Sequence, residues 1–210
     1  MAYNAFGIDL GTNNIKIYSR GDDSIMVEKN MIAIENKKVL FAYGNSAFEM
    51  YEKAPGNIHI SYPLTNGVIA DIKNMETLVR YFINDLQKGA CKPADFYIAV
   101  PTDVTDVEKR AFYDLIKYAN VKAKKIMVVE KAVADGLGLD IDVKNSQGVL
   151  VVNVGYETTE ISILSLGGIV LSRLIKAADG GGDSDKGTAP VRPDRSRFRA
   201  RLRQRPVFRA

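Results

Sequence analysis

The sequence predicts an α/β protein, a three-layer domain over residues 1–146 followed by the start of a second domain over 147–178. Three observations carry that expectation. A strand, a tight polar turn and a second strand open the chain at 6–18; strands alternate with amphipathic helices between 74 and 138; and the opening design returns at 148–163. Strands alternating with helical stripes are the signature of helices packed on a largely parallel sheet.

In the opening stretch Phe6, Ile8 and Leu10 alternate with small or polar residues, and Ile15, Ile17 and Tyr18 resume after the turn, the period of two expected of half-buried strands. Gly11 is expected to give the turn a positive φ, and Thr12, Asn13 and Asn14 bring backbone N–H groups and short polar side chains. Converging N–H dipoles with no bulky side chain before them can wrap an anion. Asp9, just ahead of the turn, is placed to accept from water on a phosphate-bound magnesium ion. An ordinary hairpin with a polar turn reads the same way from these residues alone. Neither the dinucleotide fingerprint nor a P-loop is present here.

Short strands follow at 25–27, 31–34 and 39–42, then a short helix at 45–53 ended by Pro55-Gly56. A loop is expected through His59 and Pro63 to Asn66-Gly67; with no second histidine or cysteine beside it, His59 reads as a surface or packing residue. Residues 74–88 form a helix with Met75, Leu78, Val79, Phe82, Ile83 and Leu86 in one stripe. A buried strand at 95–100 stops at Pro101. Thr105 and Glu108 form a capping box that opens a helix with Val104, Val107, Ala111, Leu115, Ile116 and Ala119 on one side. A strand at 126–129 leads into an Ala- and Gly-rich segment at 131–138, and 139–147 reads as a hinge. The second hairpin then repeats the first, with Gly155, Thr158 and Thr159 in and beside its turn. Two such turns facing each other across a hinge would clasp one phosphate chain.

The net charge of +4 is unevenly placed: from Asp179 onward eight arginines and Lys186 stand against four aspartates, a surplus of +5 that leaves residues 1–178 at −1. The basic character therefore says nothing about the partners of the body. A lone cysteine, Cys91, fits a reducing compartment. The start has no basic region followed by a long apolar run, so no signal peptide is expected. The most apolar stretch, 161–175, is divided by Gly167-Gly168 and interrupted by Arg173, too short and broken for a membrane span.

Several segments together carry a family resemblance: Gly7-Ile8-Asp9-Leu10-Gly11-Thr12-Asn13-Asn14; Pro55-Gly56-Asn57-Ile58; Pro63-Leu64 with Gly67-Val68-Ile69-Ala70-Asp71; Val100-Pro101 with Val104-Thr105; Thr158-Thr159-Glu160-Ile161-Ser162; and Ser165-Leu166-Gly167-Gly168-Ile169-Val170. From about Ala5 to Ala178 the chain resembles the MreB family of bacterial rod-shape-determining proteins, within the actin, heat-shock-chaperone and sugar-kinase superfamily. The resemblance implies an actin-like (ribonuclease-H-like) three-layer fold with the first lobe complete, including a small subdomain over about 30–62, and the second only begun. It implies ATP and Mg2+ in a cleft between the lobes and head-to-tail self-association into filaments. Such filaments would lie on the cytoplasmic membrane surface and guide cell-wall synthesis proteins. By motif matching, Asp9, Gly11, Thr12, Asn13 and Asn14 would form the first phosphate loop, with Asp9 towards the metal, and Gly155, Thr158 and Thr159 would belong to the second.

Three departures stand against the family pattern. Its second loop usually reads Asp, an apolar residue, then Gly-Gly-Gly-Thr-Thr, whereas here Asn153 replaces the acid, and Tyr156 and Glu157 replace two glycines. A carboxylate ~5 Å from a phosphate charge is repelled by roughly 3 kcal/mol at an effective dielectric of about 20, unless Glu157 points away. Lys131 stands where the family has the glutamate that positions the attacking water. An ammonium is charged at neutral pH and cannot accept that proton; it either pairs with a phosphate or turns into solvent. Beyond Ala178 an Asp-, Pro- and Arg-rich stretch replaces apolar periodicity, read here as a shifted reading frame or a truncated gene, with 179–210 a basic, disordered tail. That tail has neither the aromatic interleaving nor the fold of a nucleic-acid binder.

The leading expectation is thus a cytoplasmic, membrane-associated cytoskeletal protein of cell-shape determination. An ATP-dependent kinase of the same superfamily and a non-hydrolysing scaffold are the alternatives. The catalytic set is empty, because Lys131, Asn153 and the missing part of the second lobe put ATPase activity in doubt.

Overall fold

The computed structural model describes residues 4–90, 92–144 and 146–176. In chain order the elements are β1 (Ala5–Leu10), β2 (Asn14–Ser19), β3 (Ser24–Lys29), β4 (Ile32–Glu35), β5 (Val39–Tyr43), α1 (Gly44–Glu49), β6 (Ile58–Ser61), β7 (Leu64–Thr65), β8 (Val68–Ile69) and α2 (Ile72–Leu86). They continue with β9 (Ala94–Val100), α3 (Asp106–Tyr118), β10 (Ala123–Glu130), α4 (Lys131–Gly138), β11 (Val149–Val154), β12 (Thr158–Ser165) and β13 (Gly168–Lys176). Met1–Ala177 forms one compact unit. The expected basic tail at 179–210 lies outside the described residues.

The main sheet runs β10-β9-β1-β2-β3. The hairpin strands β1, β2 and β3 are antiparallel, while β9 and β10 join the other edge of β1 in parallel. Parallel neighbours need a crossover, and α3 supplies the one between β9 and β10. The alternation read in the sequence decides the burial. Phe6, Ile8 and Leu10 of β1, Ile15 and Ile17 of β2, and Phe96, Ile98 and Val100 of β9 share one core with Leu78 and Phe82 of α2 and Leu115 and Ile116 of α3. The stripe of α2 is as expected, but the helix starts earlier, at Ile72, because the Asp71 side chain accepts from the Asn74 N–H at 3.0 Å and caps it.

Other expectations change. Residues 58–61, expected as loop, form β6, with His59 paired to Ile34 of β4. This strand is only four residues long and gains its partner from a distant segment, so local periodicity could not show it. It completes a β5-β4-β6 sheet within the stretch expected as a small subdomain, around a cluster of Met31, Ala33 and Ala47. The helix expected at 45–53 is the shorter Gly44–Glu49. On α3 the capping box is present, but Val107 is 80% exposed and Phe112 takes its place inside. At about 100° per residue Val107 falls on the side opposite Phe112 and Ile116, and Val104 lies before the helix.

The second sheet, β11-β12-β13, is an antiparallel meander. One face rests on α4, where Ala132, Val151 and Leu164 are buried. Gly136 lets the helix come close: a Cβ there would lie 2.6 Å from Leu164 Cδ1. Among the described residues no helix is long and apolar enough to cross a membrane.

Candidate functional site: two glycine-closed hairpins on one helix

β1 and β2 pair down to Leu10 opposite Ile15, and the Gly11 N–H closes the turn on the Asn14 carbonyl at 3.1 Å. A Cβ on Gly11 would sit 2.6 Å from that oxygen. The position therefore needs glycine for close approach. The positive φ expected there is absent, since Gly11 is not among the left-handed residues.

Asn30, fully buried, holds the turn from behind. Its side-chain amide donates to the Gly11 carbonyl at 2.9 Å and its backbone N–H to the Asn13 carbonyl at 3.0 Å. Two of the turn's carbonyl dipoles are thus engaged on Asn30 and withdrawn from any bound anion. The Asn30 Oδ1 is buried without a partner among the described residues. Sequence reading missed Asn30; its only signal is a polar residue between two strands. Thr12 is buried within the turn, Asn14 begins β2, and the Asn13 Oδ1 accepts from Lys29 Nζ at 3.2 Å.

The second hairpin repeats the closure. β11 and β12 pair up to Val154 opposite Thr159, the Gly155 N–H donates to the Thr158 carbonyl at 2.8 Å, and a Cβ on Gly155 would lie 2.7 Å from the same oxygen. Thr158 and Thr159 are half-buried at the start of β12.

Helix α4 connects the two. Lys131 Nζ donates to Asp9 Oδ1 at 2.7 Å. Four residues on, Asp135 Oδ2 accepts from the Asn153 side-chain amide at 2.6 Å. Residues i and i+4 share a helix face, so one face of α4 holds the base of each hairpin. Lys131 does not turn into solvent: it is turned inward, with its side chain 20% exposed, onto a carboxylate. A cation in the first turn opposes the helix dipole, and the Asp9 charge offsets this. Lys16 Nζ approaches the other Asp9 oxygen at 3.3 Å. Burial pushes the Asp9 carboxyl up, but the Lys131 and Lys16 ammoniums outweigh it and hold the carboxyl below its ordinary value.

Glu157, within the second turn, is engaged elsewhere: its Oε2 accepts from the Asn66 N–H at 2.6 Å, hooking the β7–β8 turn onto the second hairpin. Glu160, buried on β12, accepts from the Thr102 N–H at 3.2 Å and the Ser172 hydroxyl at 3.5 Å. It was not singled out from the sequence as a tie between the sheets, because both partners lie on other strands or loops.

The glycine-closed turns fit the phosphate chain of a nucleotide: both are tight and neither bears a Cβ at its closing residue. A magnesium ion at Asp9 does not fit. Both carboxylate oxygens are engaged by ammoniums, and a divalent cation ~4 Å from one ammonium is repelled by roughly 8 kcal/mol at an effective dielectric of about 20. Among the described residues no three His, Cys, Asp or Glu side chains gather to hold a metal.

A sequence profile of the family described as MreB/Mbl protein matches residues 3–187, running past Ala178, where the motif resemblance ended. The chain is 37% identical over 175 residues to the cell shape-determining protein Mbl of Bacillus cereus, covering 82% of this chain and 52% of that one. It is 32% identical over 190 residues to the cell shape-determining protein MreB of Escherichia coli, covering 87% and 53%. The chain thus spans about half the length of these relatives. Among solved structures, MreB5 of Spiroplasma citri bound to ADP superposes with a TM-score of 0.76 at 32% identity, covering 84% of this chain and 53% of that one. The MamK double helical filament, at 21% identity and a TM-score of 0.69 over 84% of this chain and 55% of that one, shows the same actin-like fold. With its first sheet complete and its second begun on an actin-like plan, the chain belongs to the MreB/Mbl family of cell shape-determining proteins.

Proposed function

We propose that this chain carries the phosphate-holding part of an actin-like cytoskeletal protein that forms ATP-dependent filaments under the cytoplasmic membrane and guides cell-wall synthesis. The observation that supports the reading is the repeated hairpin: Gly11 and Gly155 close their turns by the same N–H to carbonyl bond three residues on, and one face of α4 ties down both. Residues Gly11 to Asn14 would hold one side of the phosphate chain, and Gly155, Thr158 and Thr159 the other. ATP supplies the energy-yielding phosphate bond when bound; the residues here bind and orient it. The structure of MreB5 bound to ADP is consistent with a nucleotide in this family's cleft.

A non-hydrolysing scaffold is the second reading, favoured by Lys131 and Asn153. Neither side chain is a carboxylate of the kind that positions an attacking water, and each is instead paired with one.

In the family the adenine pocket belongs to the second lobe, so the 210 residues alone are expected to bind ATP weakly and release no phosphate. The test is a chimera whose second lobe is completed from the Bacillus cereus Mbl. It should sediment with ATP and lose that response in Gly11→Ala and in Gly155→Ala. Sedimentation indifferent to ATP would overturn the filament reading. Single-turnover phosphate release distinguishes the scaffold: slow release, raised by Lys131→Glu with Asn153→Asp, supports it, and fast release in both forms rejects it.

A further inference from the structure

The first hairpin is ringed by cations. Lys131 and Lys16 engage the two oxygens of Asp9 at 2.7 and 3.3 Å, and Lys29 Nζ bonds the Asn13 Oδ1 in the turn itself at 3.2 Å. Two ammoniums thus share the Asp9 carboxylate and a third rests on the Asn13 amide, leaving an excess of positive charge without any metal. The Lys131 side chain is 20% exposed and that of Asp9 26%, so the pair is partly open to solvent. An ammonium has three donors; Lys131 can keep Asp9 with one and offer another to a phosphate oxygen. Its anchor is a backbone position fixed at the junction of β10 and α4, so the charge is delivered to the turn by the fold.

We propose that Lys131, with Lys16, supplies at the first hairpin the positive charge that a divalent cation would otherwise bring, so that this chain holds a phosphate chain without magnesium. The inference rests on the reading of the two turns as a phosphate cradle. It also assigns Asp9 a different part: Asp9 orients Lys131 and is not a metal ligand. Bringing a divalent ion to Asp9 would require both ammoniums to withdraw from its oxygens. The one carboxylate against the second hairpin that α4 provides, Asp135, is engaged by the Asn153 amide.

The test uses the whole 210-residue chain and inorganic tripolyphosphate, which has the phosphate chain but no adenine. Binding is followed by phosphorus NMR, in excess EDTA and in excess magnesium. The expected affinity in EDTA is equal to or tighter than that in magnesium. Lys131→Gln should weaken binding in EDTA by about tenfold, the loss of one charge-assisted contact, while Lys131→Arg keeps most of it. Binding that tightens about tenfold or more with magnesium overturns the inference and leaves the cradle standing. If Asp135→Asn then removes that gain, the metal sits at the second hairpin. Binding unchanged by Lys131→Gln also overturns it. No binding in either condition overturns the cradle reading itself, and the inference with it.

Discussion

The two hairpins are alike in their turns and unlike in everything around them. In both, a glycine N–H closes on a carbonyl three residues ahead and the absence of a Cβ permits it. Around the first, β9 and β10 extend the sheet past β1, and α2 and α3 cover Phe6, Ile8 and Leu10. Around the second, β11 is an edge strand, and Leu150, Val152 and Val154 stand 61%, 49% and 76% exposed along one face. Hairpin geometry is a local property set by register and turn residues. Burial is a non-local one, set by which crossovers add strands and helices. The same local design can therefore exist in a finished core or on an open sheet.

The largest expected effect tests this contrast in burial. Phe96, 1% exposed and stacked on Phe6 at 5.4 Å between ring centroids, anchors the first core. Phe96→Ala should cost about 3–5 kcal/mol, whereas Val152→Ala, on the open face, should stay within about 0.5 kcal/mol. Urea titrations of the two variants make the comparison. Amide exchange should agree, slow in β9 and faster in β11, whose outer edge has no neighbouring strand among the described residues. Equal costs would mean that the open face is covered in solution.

The glycines come next. A Cβ at either position meets a backbone oxygen, at 2.6 Å for Gly11 and 2.7 Å for Gly155, so something must shift. Overpacking of this kind costs about 1–3 kcal/mol. Asn30 pins the first turn through two hydrogen bonds, while the second has no such described anchor behind Gly155. Gly11→Ala should therefore lie at the upper end of the range and Gly155→Ala at the lower end by thermal unfolding. If Asn30→Ala brings the two together, the anchor is the cause of the difference.

How much of this could be read from the sequence follows the same division. The strands of both hairpins, the stripe of α2 and the Thr105–Glu108 box were legible, because each depends on residues within one or two turns of chain. The pairing of β6 with β4 was not, nor the reach of Lys131 to Asp9 across 122 positions, since both depend on where the fold brings distant segments. Gly11 was recognised as necessary, but for the wrong reason: conformational freedom was expected and close approach was found. Val107 has the apolar character of a core residue but lies outside, because within α3 it is turned away from Phe112 and Ile116.

The smallest expected effect concerns the two helices that serve the two sheets. α3 begins with a full capping box: Glu108 N–H donates to Thr105 Oγ1 at 3.2 Å, and Glu108 Oε2 accepts from the Thr105 backbone N–H at 2.7 Å. α4 has no side-chain cap and is held instead by Lys131 on Asp9. Thr105→Ala should cost about 1 kcal/mol in unfolding free energy. The Thr105 backbone N–H, then its hydroxyl, hold the Glu108 carboxyl below its ordinary 4.5. A lowered folded-state pKa stabilises fully above the unfolded value and is lost as pH falls through the folded one. Alanine at 105 keeps the backbone donor, which is the larger cause. The Glu108 titration in Thr105→Ala, followed by carboxyl-carbon NMR, should therefore stay below 4.5, moving only part of the way back. Full return to the ordinary value would show that the hydroxyl, and not the backbone N–H, governs the box.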